Sequence, residues 1–247
     1  MQSTFPQIVS KLKILGLLPA RGGSKGIPGK NLRLLHGQPL MSWAALALSS
    51  CTYIDRCICS TDDLSIAKTA RQFNLDTPFI RPLELSKDNT PIVDVVRHAL
   101  EELDDPENPY THVALVQATT PTVTTEDITR AIDLMIEYNA DTIITGFLAT
   151  SQHPVLMFTK DPVDGHVNWL LPSGYHANRR QDFPLVFVRT GLLYLVSANV
   201  IRTDGSLYGD CIHAMIVDEN KAVTIDEEQD FQRAEELMGK LNEKNTR

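Results

Sequence analysis

No stretch of this 247-residue chain approaches the roughly 18 consecutive apolar residues that a membrane-spanning helix needs. The first residues, Met1 to Lys13, lack the apolar centre of a secretory leader, so the expected location is the cytoplasm. Positive charge is in deficit: Lys and Arg total 23 against 31 Asp and Glu, a net charge of −8. That balance argues against nonspecific nucleic-acid binding, and a polyanionic ligand would need a local basic pocket, usually with a metal ion. Cysteine is scarce, with four residues at 51, 57, 59 and 211. Zinc sites usually add further ligands to a C-x2–4-C pair, and the isolated Cys57-x-Cys59 has none, so the thiols read as buried and reduced. Internal repeats and low-complexity segments are missing too, and the length suffices for one large core with a small insertion.

What is present is concentrated in one stretch. Ile14 to Leu18 is an apolar run that reads as a buried strand, and it empties into Ala20-Arg-Gly-Gly-Ser-Lys-Gly-Ile-Pro-Gly-Lys-Asn31. Glycines let backbone N–H groups approach a ligand closely, and Arg21, Lys25 and Lys30 add positive charge to those dipoles. A strand opening into such a loop is a receptor for phosphate oxygens. Other glycine motifs fail here. A Walker A loop would need Gly at Ser24 and Ser or Thr at Asn31, and the dinucleotide pattern G-x-G-x-x-G is absent. Gly22-Gly23-Ser24-Lys25-Gly26 matches the nucleophile elbow G-x-S-x-G by letter, but Pro28 and Gly29 deny it the helix that must follow.

Further along, helices are expected over Leu40–Leu48, Leu64–Phe73, Ile92–Leu103 and from Thr125 to about Tyr138. Strands are expected over Arg56–Ser60, His112–Gln117, Asp141–Ala149, Gly191–Val196 and Ile212–Val217. This alternation specifies an α/β fold with a mostly parallel sheet and helices on both faces. Ser151 to Asn178 breaks the rhythm and reads as an insertion. Thr61 or Asp62 should cap the helix after the second strand, though acidic residues at a strand's carboxyl end also sit where such sheets bind ligands. Asp88 and Thr90 precede a helix start, where capping explains them equally well as ligand contact. Gln117 ends a strand with an amide able to orient a sugar or base. Of the adjacent Arg179 and Arg180, one could pair bidentately with a carboxylate or phosphate. Asp226 can cap the helix running from Glu227 to about Leu241, and Asp230 reads as part of that helix's solvated face.

The Ala20–Asn31 loop resembles the signature of the acylneuraminate (CMP-sialic acid) cytidylyltransferases, and the likeness runs from residue 12 to about residue 241 as one domain. It implies a Rossmann-like nucleotidyltransferase fold with an extended dimerisation insertion near 151–185. It also implies a reaction in which CTP and a sialic-acid-like nonulosonic acid give the CMP-sugar and pyrophosphate. Mg2+ is the implied cofactor and a homodimer the implied assembly. By the same resemblance Arg21 and Lys30 are catalytic, while Ala20, Arg21, Gly22, Gly23, Ser24, Lys30, Asn31 and Thr90 bind CTP. Gln117, Arg180, Gln181 and Thr190 bind the sugar, and Asp226 binds the metal. The chain departs from the family pattern at Ala118, Leu156, Thr190 and Thr224. Those departures leave two alternatives: an enzyme for another sugar acid (legionaminate, pseudaminate or an octulosonate), or a non-catalytic nucleotide-binding homologue.

Overall fold

A computed structural model of the chain describes residues 12–150, 153–171 and 182–245. The first strand, β1 (Ile14–Pro19), is buried almost throughout, as a strand covered on both faces must be. Alternation divides its side chains. Ile14 and Leu18 enter the core shared with α1 (Leu40–Ser49) and α4 (Thr125–Tyr138), whereas Leu15 and Leu17 enter the core shared with α3 (Ile92–Leu103) and α5 (Ala198–Asp204). Between these come a short hairpin of β2 (Leu34–Leu35) and β3 (Gln38–Pro39), then β4 (Arg56–Ser60) and α2 (Leu64–Gln72). The remaining strands are β5 (His112–Leu115), β6 (Thr142–Leu148), β7 (Phe158–Lys160), β8 (Val167–Trp169), β9 (Phe187–Ser197) and β10 (Ile212–Ile216).

The main sheet has the order β10-β6-β9-β5-β1-β4. Strand β1 runs parallel to β4 and β5, and β6 parallel to β10, while β9 lies antiparallel between β5 and β6. The carboxyl ends of β1, β4 and β5 therefore open on one edge, which is where an α/β sheet offers its loops to a ligand. A third apolar cluster lies off the sheet. There Phe231, Ala234 and Met238 of the last helix, α6 (Glu228–Asn245), pack on Ile27, Leu35, Leu40, Val223 and Ile225. This cluster holds the glycine loop against the segment that carries Asp226.

Several local expectations need correction. The cap of α2 is Asp63, whose carboxylate accepts from the N–H groups of Ser65 and Ile66 at 2.7 and 3.0 Å; neither Thr61 nor Asp62 caps it. Helix α3 begins after Pro91 without any side-chain cap, and the Thr90 hydroxyl instead donates to the carbonyl of Glu84 at 3.2 Å. Helix α4 carries a capping box between Thr124 and Asp127. Strand β9 starts four residues before the expected Gly191, and α5 was not expected at all. The insertion contains an antiparallel β7–β8 hairpin, with the Phe158 and Trp169 rings 4.1 Å apart. Its entry is pinned by His153: Nδ1 accepts from the Val155 N–H, which leaves Nε2 to donate to the carbonyl of Pro184 at 2.9 Å. The four cysteines are unpaired, and burial pushes the Cys57 and Cys59 thiols up to about 12, which makes them poor nucleophiles and ligands.

Candidate active site

Beyond β1 the backbone keeps its pairing for one more residue, the Ala20 N–H donating to the carbonyl of Ser60 at 3.0 Å, and then the loop opens. Gly29 turns the chain at φ 65°, a left-handed conformation open to glycine at no steric cost, and so directs Lys30 inward. Lys30 is 8% exposed. Its ammonium donates to the carbonyl of Ile225 at 2.6 Å and to the Asp226 carboxylate at 3.0 Å. The two segments meet closely, since a Cβ on Gly26 would lie 2.3 Å from the carbonyl oxygen of Asp226. Asp226 is held from its other flank as well. One oxygen of Asp230 accepts from the N–H groups of Asp226 and Glu227 at 3.0 and 2.8 Å, and these bonds keep the Asp230 carboxyl below the usual carboxylate range. Asp226 is thus not a helix cap, and Asp230 is not a free surface carboxylate. With backbone and ammonium both fixed, the Asp226 side chain stands 72% exposed over the cleft.

The Gln117 turn forms a second wall, tied directly to the Asp226 segment. The N–H of Ile225 donates to the carbonyl of Thr119 at 3.0 Å, the Thr122 hydroxyl donates to the carbonyl of Lys221 at 2.7 Å, and the Lys221 ammonium pairs with Asp127 at 2.6 Å. Together these walls enclose a cleft of about 290 Å3 lined by Ala20, Arg21, Ser24, Lys30, Asn31, Thr90, Gln117 and Asp226, among others. Asn31 lies at its floor. Its Nδ2 donates to the carbonyl of Arg21 at 3.0 Å, while its buried Oδ1 has no partner among the described residues. An orphaned acceptor suits a ligand hydroxyl, such as one on a ribose, and not a phosphate oxygen.

A buried cation that the sequence reading missed also lines this cleft. Arg81 is 4% exposed, donates from Nε to the Ser86 hydroxyl at 3.1 Å, and stands 3.8 Å from the Asp62 carboxylate. Burial lowers its pKa and Asp62 opposes that shift. Its only signal in the sequence was an arginine ending a short extended run between Pro78 and Pro82, which surface arginines share.

Three expected phosphate contacts are engaged elsewhere. The Gly22 N–H donates to Asp62 at 3.0 Å, whereas Gly23 has no such partner among the described residues. Arg21 and Lys25 both pair with Asp88, which holds its carboxyl below the usual range through the Lys25 and Arg21 hydrogen bonds. Asp88 therefore occupies the cations expected to meet phosphate. Changing Asp88 to Asn should strengthen CTP binding by about two- to fivefold, the worth of an exposed ion pair that no longer has to be broken. Isothermal titration checks this, and weaker binding would mean that Asp88 holds Arg21 in place for the nucleotide.

Thr190, expected at the sugar, does not line the cleft; it is buried, with its hydroxyl 3.0 Å from that of Thr145 on β6. Arg180 and Gln181 lie outside the described residues. Among the described residues no three His, Cys, Asp or Glu side chains converge to hold a metal ion. Mg2+ often takes one or two carboxylates together with phosphate oxygens and water, so Asp226 fits an ion carried by a nucleotide and does not fit a protein-only cage.

The open sheet, with a cation-rich glycine loop at the carboxyl end of its first strand, defines a nucleotidyltransferase-type α/β protein. Solved structures of the same fold include a CMP:2-keto-3-deoxy-manno-octonic acid synthetase complexed with CTP (TM-score 0.68, 13% identity, covering 93% of this chain and 99% of that one). Another is a 4-diphosphocytidyl-2C-methyl-D-erythritol synthase from Anaerococcus prevotii (TM-score 0.67, 12% identity, covering 94% and 99%). The Cytidylyltransferase family model matches residues 15–162, more than half of the chain, and the chain belongs to that family. Its relatives include a CMP-N,N'-diacetyllegionaminic acid synthase of Legionella pneumophila, 26% identical over 92% of this chain and 97% of that one. A pseudaminic acid cytidylyltransferase of Campylobacter jejuni is also 26% identical, over 94% of this chain and 98% of that one. An N-acylneuraminate cytidylyltransferase of Escherichia coli is 24% identical over 94% of this chain and 54% of its own length.

Proposed function

We propose that the chain transfers the cytidylyl group of CTP to a nonulosonic acid, giving the CMP-sugar and pyrophosphate. The observation that carries this reading is the buried Lys30 ammonium, fixed beside Asp226 at the mouth of the glycine loop. The sugar's anomeric hydroxyl attacks the α-phosphorus and loses its proton to solvent, a new P–O bond forms, and the bond from that phosphorus to the bridging oxygen of pyrophosphate breaks. Negative charge grows on the departing oxygen, where Lys30 and Arg21 supply preorganised positive charge. Gly23 and Ser24 approach the phosphates from the loop, and the Asn31 acceptor takes a nucleoside hydroxyl. Gln117 orients the acid. Asp226 would hold Mg2+, which would supply further charge neutralisation when bound.

The proposed assembly is a homodimer. Its support is the exposed apolar surface of the insertion, where Phe158, Val167 and Trp169 stand about half exposed on the hairpin. The proposed location is the cytoplasm, which suits four unpaired cysteines. Among the described residues no helix is long and apolar enough to cross a membrane.

The acid itself is a matter for assay, because relatives named for legionaminic and pseudaminic acids match as well as those named for N-acylneuraminate. The full chain supplied with CTP, Mg2+ and a panel of these acids and an octulosonate should release pyrophosphate with at least one. CTP binding without release under all of them would make it a nucleotide-binding homologue instead.

A further inference from the structure

Outside the glycine loop, one more cation is built into the carboxyl edge of the sheet. In the register of β6 and β9, Arg189 stands opposite Gly146, and the pairing then shifts before Tyr194 falls opposite Ile144. On the other side Tyr194 pairs with Leu115, the last residue of β5, so the part of β9 before Tyr194 runs on past the end of β5. That overhang lies beside the Gln117 turn: a Cβ on Gly191 would sit 3.5 to 3.6 Å from the Gln117 amide. Arg189 is thus two residues from the wall of the cleft.

Its surroundings are unlike those of an ordinary surface arginine. The guanidinium donates to the Tyr208 hydroxyl and lies 5.9 Å from the centroids of both the Tyr194 and Tyr208 rings. Those rings meet edge to face, with centroids 6.4 Å apart. Tyr194 is 5% exposed in the same core as Val96 of α3, the helix whose first turn lines the cleft. Burial pushes the Tyr194 hydroxyl up to about 12, so it stays a neutral donor at working pH and does not repel an anion.

Charge pairing separates Arg189 from Arg21, Arg81 and the glycine-loop lysines, whereas Lys87, which lines the cleft, likewise has no carboxylate partner among the described residues. Arg21 and Lys25 face Asp88, Lys30 faces Asp226 and Arg81 faces Asp62. Among the described residues no carboxylate pairs with Arg189. A guanidinium held by a tyrosine hydroxyl beside two aromatic rings is restricted in orientation, and its planar fork matches a carboxylate. A sugar acid brings one carboxylate in addition to the charge of the triphosphate that Arg21 and Lys30 are proposed to meet.

We infer that Arg189, set against Tyr194 and Tyr208, is the receptor for the carboxylate of the acceptor acid and makes the enzyme select acids over neutral sugars. This rests on the cytidylyltransfer reading above. The test compares Arg189→Met and Arg189→Lys with the wild-type chain, measuring CTP affinity by titration and KM and kcat for the best acid of the panel. The methionine variant should raise the KM for the acid by about ten- to a hundredfold, the worth of a charged hydrogen-bonded pair, with CTP affinity within about twofold of wild type. Lysine, which keeps charge but not the fork, should fall between. The methyl ester of the same acid, used as a competitive inhibitor, should bind the wild type more weakly than the acid does by a similar factor, and should bind the methionine variant no more weakly than the wild type.

An unchanged KM for the acid, or an equal loss for acid and ester, overturns the inference. If the methionine variant fails to fold, equal wild-type affinity for acid and ester overturns it as well. Wild-type protein that releases pyrophosphate with no acid brings down the functional reading and this inference with it, whereas turnover with unchanged KM removes only the latter.

Discussion

Lys30→Met is expected to slow pyrophosphate release by about a hundred- to a thousandfold, the usual cost of losing one preorganised charge-stabilising group. Methionine has nearly the length of lysine and fills the same buried space, so the loss falls on charge. Two acceptors lose their donor, the carbonyl of Ile225 and the Asp226 carboxylate. The carboxylate is mostly exposed and rehydrates at little cost, while the buried Ile225 carbonyl loses its donor at about 1–3 kcal/mol, less than the usual stability of a folded domain. Losing the ammonium removes positive charge where the departing pyrophosphate needs it and leaves Asp226 to repel the triphosphate. Both kcat and CTP affinity should fall, with a circular dichroism spectrum like that of wild type. A variant with near-normal kcat would take Lys30 out of the chemistry.

Phe231→Ala is expected to cost about 3–5 kcal/mol of stability, as for other large buried aromatics. The ring is 1% exposed and packs with Ile27 of the glycine loop and Ile225 beside Asp226, and the Arg33 guanidinium lies 4.0 Å above it. Arg33 in turn grips Glu228 through two hydrogen bonds of 2.5 and 2.7 Å, at the first turn of α6. The cavity would therefore loosen the contact that brings Lys30, Gly26 and Asp226 together. Denaturant unfolding measures the loss, and activity should decline below the unfolding temperature as the two segments part. A change under about 1 kcal/mol would show that α6 is not what braces the site.

Much of this site can be read in the sequence because its chemistry is local. The glycines, the cations and the preceding apolar strand lie within 18 residues, Ile14 to Asn31, so the sequence alone marks them as a candidate phosphate-binding turn. The α/β alternation was equally legible, since buried strands and amphipathic helices impose different periods. What escaped notice depends on contacts far apart in the chain. Asp88 reaches Arg21 and Lys25 across more than sixty positions, and no pattern near either end announces the pairing. Arg81 is buried only because the chain folds back on Thr61. Which of Thr61, Asp62 and Asp63 caps α2 is decided by backbone angles, and three cap-forming residues in a row conceal the answer. Thr190 turns onto Thr145 at the irregular stretch of β9, where period-2 reasoning fails. Helix α5 has seven residues, too few for a helical period to stand out after a strand.

A structure of the full chain with CTP and Mg2+ tests the central claim most directly. The account predicts the triphosphate against Gly23, Ser24 and Lys30, with Asp88 released from Arg21 and a ribose hydroxyl within hydrogen-bonding distance of Asn31 Oδ1. Nucleotide bound away from the glycine loop, or phosphates that leave Lys30 untouched, would contradict it.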